Sequence, residues 1–81
     1  MTKMFKNPFE LVASVLKLPV ESLNANSTMG EEPNWDSMNH IAIIVEIEKS
    51  LGISIHNDDI MKYSELTEII KLFEIHARIP K

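Results

Sequence analysis

The densest group of chemically capable side chains lies around Ser37, where Asp36, Ser37 and His40 fall within five residues. An acid, a hydroxyl and an imidazole are the parts of a nucleophilic triad. A triad, however, draws them from separate elements and needs an oxyanion hole, and neighbours on one helix supply neither. His56 and His76 are too scattered to complete a ligand set with His40, so no metal site is expected. Cysteine is absent, which removes disulfides, thiolate ligands and a thiol nucleophile. What remains is a serine opening a helix with Asp36 as its cap, its hydroxyl turned to solvent at the helix's positive end. His40 lies near the core stripe of that helix. The expectation is a partly buried histidine hydrogen-bonded to the preceding loop, with at most a minor part in orienting a group held by Ser37.

The elements that position Ser37 can be read from caps and periodicity. Asn7-Pro8-Phe9-Glu10 carries an N-cap, a first-position proline and a capping-box-like acid. Phe9, Leu11, Val12, Val15 and Leu16 then recur at helical spacing, which predicts a helix over about 7–18, ended by Pro19. Residues 19–35 are rich in proline, asparagine and small polar residues and read as a long connection, with one short turn around Val20–Leu23. A second helix over 36–51 stops at Gly52. Ile53-Ser54-Ile55 alternates like a strand but has no partner strand, so it is expected to be an extended linker tucking both isoleucines inward. Asn57 is expected to cap a brief helix over 57–63 with Asp58 and Asp59 at its positive end, and Ser64 to cap the last helix, 64–77, before Pro80. The expected fold is all-α: three longer helices, one short helix and a long first loop in one domain, 1–81.

A chain of 81 residues, 44% of them hydrophobic, is globular in composition but too short for a deep, water-excluding active site. Carrying, binding or scaffolding is therefore expected ahead of catalysis. The opening residues lack the apolar run of a signal peptide and no stretch approaches a membrane span, so a cytoplasmic protein without membrane insertion is expected. The net charge of −4 conceals an acidic middle: residues 31–59 carry seven acids against Lys49, which leaves +2 elsewhere. An acidic middle argues against nucleic acid and favours partners with basic patches.

At 100° per residue the second helix carries two apolar stripes rather than one. Ile43, Ile44, Ile47 and Leu51 form one, and Met38, Ile41, Ala42 and Val45 form the other. Either the helix is central and packed on both sides, or the second stripe meets partner proteins. With Ser37 at one end and Glu48 and Lys49 at the other, that stripe has the make-up of a transient docking face.

Asp36-Ser37-Met38, opening a helix after a long loop and followed by residues 41–48 and Leu51-Gly52-Ile53-Ser54-Ile55, resembles the acyl carrier protein family over nearly the whole chain. The resemblance implies a four-helix bundle of acyl-carrier type. It implies that a phosphopantetheinyl transferase moves 4′-phosphopantetheine from coenzyme A to Ser37, that Asp36 helps present the serine, and that the arm's thiol then holds an acyl group for acyl-loading and acyl-using enzymes. No catalysis is implied, and the chain is expected to act as a monomer. The docking residues would be Met38, Asn39, Ile41, Ala42, Val45 and Glu48. Ile44, Ile47, Ile60 and Ile70 would line the space in which an acyl chain shelters.

The chain departs from typical fatty-acid carriers, which have acids where Asn39 and Ala42 stand, and Lys49 adjoins Glu48. With Trp35 and His40 flanking the signature, it looks more like specialised stand-alone carriers than the general fatty-acid carrier. D-alanyl carrier proteins share Asp-Ser-Met and Glu-Ile-Glu but differ in their last third, and peptidyl carriers usually have a Gly-Gly run that Glu31 to Trp35 lacks. An aminoacyl or D-alanyl carrier is the nearest alternative. A cofactor-free helical adaptor is the alternative of another class.

Overall fold

A computed structural model describes Phe5 and residues 7–78 of the chain. Helix α1 (Pro8–Leu16) starts as its sequence dictates: the Asn7 side chain accepts hydrogen bonds from the amides of Phe9 at 2.8 Å and Glu10 at 3.4 Å. It ends two residues before the expected stop. Lys17 turns left-handed at φ 58°, and the amides of Lys17 and Leu18 both return to the Ala13 carbonyl. Pro19 therefore follows a helix that has already closed, and a single 3₁₀ turn, Val20–Ser22, comes next.

Helix α2 (Ser37–Leu51) begins at its expected cap, because the Asp36 carboxylate accepts from the Asn39 amide at 2.9 Å. It ends at Gly52, whose φ of 68° is a conformation that disfavours any side chain. A Cβ added at Gly52 meets nothing within 4 Å, so the substitution cost is purely conformational. Gly52→Ala is expected to cost about 1 kcal/mol and to lower the melting temperature by about 4–8 °C, read by thermal unfolding.

Ile53 to Ile55 run as the expected extended linker, with both isoleucines half-buried against the core. The short helix is 3₁₀, Asn57–Ser64, and His56 caps it where Asn57 was expected to: the His56 Nδ1 accepts from the Asp58 amide at 3.1 Å. Ser64 does not cap the last helix either. It closes the 3₁₀ segment after a kink at Tyr63, and α3 runs Leu66–Arg78. The reason lies across the fold, where Met29 donates to the Ser64 carbonyl and Leu66 to the Ser27 carbonyl. These two bonds form an isolated antiparallel bridge, Thr28 with Glu65, that holds Glu65 extended between the two helices. Pro80 lies outside the described residues.

The architecture is all-α, as the sequence predicts: α1 packs on α2 and α3, and the 3₁₀ helix bridges α2 and α3. Leu11, Val12 and Leu16 of α1, Ile43 and Ile47 of α2, and Leu66, Ile69 and Phe73 of α3 meet in the core, which also takes in Phe5. No helix among the described residues is long and apolar enough to cross a membrane. The long first loop does not hang free. Thr67 donates its hydroxyl to the Ala25 carbonyl at 2.6 Å, and buried Ser27 donates to Glu32 at 2.7 Å.

Candidate functional site

Ser37 is the first residue of α2, exposed, and its hydroxyl makes no hydrogen bond to another described residue. Asp36 spends its carboxylate on Asn39 and its carbonyl on the His40 amide at 2.8 Å. The amides of Ser37 and Met38 precede the first intrahelical partner, so the turn presents bare N–H groups and the positive end of a 15-residue helix. Beside it opens a cleft of about 510 Å³, lined by Met29, Gly30, Glu32, Asn34, Trp35, Asp36 and Ser37.

The residues behind the serine are buried and hydrogen-bonded in a way the sequence only hinted at. Trp35 is 1% exposed, and its indole N–H donates to His40 Nδ1 at 3.1 Å. His40, also 1% exposed, reaches the Ile60 carbonyl with Nε2 at 2.8 Å. Accepting at one nitrogen and donating at the other makes this a neutral imidazole protonated at Nε2. The expectation of a partly buried histidine bonded to the loop is thus met and exceeded. The ring is fully enclosed and pins α2 to the 3₁₀ helix, so both its nitrogens are engaged away from Ser37. Trp35 anchors the loop, as expected.

The two stripes of α2 resolve into different roles. Ile43, Ile44 and Ile47 are buried, whereas Met38 is 83%, Ile41 49% and Val45 39% exposed. Ala42 and Asn39 are half-buried beside them. Glu48 stands partly apart from this face, because its carboxylate accepts from the Ile55 amide at 2.8 Å and holds the linker. Of the residues expected to line an acyl shelter, Ile44 and Ile47 belong to the closed core, while Ile60 and Ile70 pack half-buried against it. Neither the cleft beside Ser37 nor a smaller one between Tyr63 and Ile75 is lined by these four. No group of three His, Asp or Glu among the described residues stands close enough to hold a metal ion.

Sequence reasoning passed over Asn34 and Asn39 as structural parts. Asn34 sits left-handed at φ 69°, and its amide nitrogen donates to the Leu16 carbonyl at 2.8 Å. Its own carbonyl accepts from the Asp36 amide at 3.0 Å and from the Asn39 side-chain nitrogen at 2.7 Å. An asparagine before a helix start was the available signal, since Asn tolerates the left-handed region.

The helical bundle thus offers an exposed, unengaged hydroxyl at the start of α2. The family described as the phosphopantetheine attachment site matches residues 9–73, and the chain belongs to it. Domains of this family bear a covalently attached 4′-phosphopantetheine and act as carriers rather than as catalysts, in agreement with the reading of the sequence. A cofactor-free adaptor is thereby set aside. No curated protein matches the chain.

Proposed function

We propose that Ser37 bears the phosphopantetheine arm and that the protein carries an acyl group on it as a monomeric, single-domain carrier in the cytoplasm. The observation that carries this reading is the exposed, unpartnered Ser37 hydroxyl at the N-terminus of α2, next to its capping Asp36. The group fits there: a phosphodiester on that oxygen would meet the free amides of the first turn and the positive helix end, and the adjoining cleft leaves room for a transferase to approach. In the transfer, the Ser37 oxygen bonds to the pantetheine-side phosphorus of coenzyme A as the pyrophosphate bond breaks. The nucleotide half leaves, and the serine proton passes to the transferase. Once attached, the arm supplies a thiol that holds the acyl group as a thioester.

Met38, Ile41, Ala42 and Val45 form the docking face in this reading, with Asn39 and Glu48 at its margins. Three of these side chains are exposed apolar groups with no internal role. Lacking acids at positions 39 and 42, the face suits partner enzymes other than the general fatty-acid machinery, such as those of specialised secondary or lipid pathways. Purified protein incubated with coenzyme A and a phosphopantetheinyl transferase is expected to gain the mass of the arm, and fragment masses to place it on Ser37. A gain on any other residue, or none, removes the proposal. The mass of the adduct carried in the native host separates an acyl from an aminoacyl cargo.

The docking face makes its own prediction. Met38→Glu and Ile41→Glu are each expected to slow modification about fivefold or more, as loss of a central interface contact does. The melting temperature should move by no more than about 2–4 °C, because neither side chain is core. A large fall in stability would show that the stripe is packed after all.

A further inference from the structure

We infer that Asn34 and Asn39 form a positioning clamp that holds the Ser37 turn against the C-terminus of α1, resting on the reading of Ser37 as the attachment point. The clamp is a short relay. Leu16 O, one of the unpaired carbonyls at the end of α1, accepts from Asn34 Nδ2 at 2.8 Å. Asn34 O then accepts from the Asp36 amide at 3.0 Å and from Asn39 Nδ2 at 2.7 Å. Ser37 lies between those two donors in sequence, so its backbone is tied on both sides to a single carbonyl. Both amide side chains face carbonyl oxygens, which only their NH₂ groups can satisfy.

This assigns position 39 a role other than partner contact. An acid there, as in typical fatty-acid carriers, would set a carboxylate against the Asn34 carbonyl with no proton to share. The missing charge at Asn39 is therefore a structural requirement of this loop. Ala42, the other position without the expected acid, is half-buried and has no such bond to lose. Asn34 is suited to its place twice over: it tolerates a φ of 69°, and its side chain spans to α1.

The test compares wild type with Asn39→Ala, Asn39→Asp, Asn34→Gly and Ser14→Ala in phosphopantetheine transfer from coenzyme A, alongside acrylamide quenching of Trp35. Glycine keeps the left-handed backbone and removes only the amide. Asn39→Ala and Asn34→Gly are expected to lower kcat about five- to tenfold, the scale of one lost orienting hydrogen bond. KM should change less than about twofold because the exposed apolar side chains of the docking face, Met38, Ile41 and Val45, are unchanged. Asn39→Asp should be slower still, and Trp35, adjacent to Asn34, should become more quenchable in all three. Ser14→Ala, on the exposed side of α1 and outside both the clamp and the docking face, should keep both the wild-type kcat and the wild-type quenching. Variants at 34 and 39 that retain wild-type kcat, or Asn39→Asp that is no slower than Asn39→Ala, overturn the clamp and leave the carrier reading standing. Wild type that accepts no arm overturns the reading of Ser37, and with it the clamp's part in transfer.

Discussion

Ser37→Ala is expected to abolish attachment of the arm entirely while leaving the fold intact. On the proposed reading the reaction uses an oxygen that is exposed, unengaged and placed at a helix's positive end, and the other described serines and threonines each fail at least one of these conditions. Ser27 is buried and bonded to Glu32, Ser22 donates to the Pro19 carbonyl, and Ser50 accepts from the Phe5 amide. Thr67 donates to Ala25, while exposed Ser14 and Ser54 lie in mid-helix and in the linker, away from any bare helix start. Alanine is a good helix former, and Ser37 makes no side-chain bond, so stability should change by no more than about 0.5 kcal/mol. Intact mass after exposure to transferase and coenzyme A, with thermal unfolding of the same sample, reads both halves. Equal mass gain in wild type and variant would end the assignment of Ser37.

The second large effect concerns the wall behind that serine. Trp35→Ala removes the largest buried side chain and is expected to cost about 3–5 kcal/mol through lost burial and the cavity left behind. A chain of 81 residues has a total stability of about 4–12 kcal/mol at the usual 0.05–0.15 kcal/mol per residue, so the variant should lose between about a quarter and nearly all of it. Trp35→Phe retains most of the apolar volume but withdraws the donor to His40 Nδ1, leaving a buried acceptor unpaired at a cost of about 1–3 kcal/mol. Urea unfolding of both variants, followed by circular dichroism, should rank them in that order. A loss below about 1 kcal/mol for the alanine variant would contradict the burial of Trp35 in the core.

These two neighbours differ in how far the sequence disclosed them. Asp36 and Ser37 were legible because a capping acid, a helix start and the family signature are all written within a few residues. Trp35 could be recognised as an anchor, but not as the donor to His40. That bond depends on α2 being oriented so that its first turn faces the loop. Likewise, the periodicity of α2 revealed two apolar stripes but not which was covered. The packing of α1 and α3 against Ile43 and Ile47 decides that, and it leaves Met38, Ile41 and Val45 in solvent. Glu48 was read as a docking charge because an exposed acid on a helix gives no local sign that the Ile55 amide will fold back onto it.

By itself the sequence determined the class of fold and the starts of α1 and α2, and it singled out Ser37 as the serine proposed to bear the arm. Those features arise from contacts between residues a few positions apart: Asn7 to Phe9, Asp36 to Asn39, Gly52 to Glu48. Only the tertiary structure decided where α1 stops, where α3 begins and how the serine turn is held. Each of these depends on partners far apart in the chain: Asn34 on Leu16, Met29 and Ser27 on Ser64 and Leu66, Asn39 on a loop that must first be folded. Such bonds form only after the core has paid the entropy of closing the long loop, and no local pattern of residues announces them.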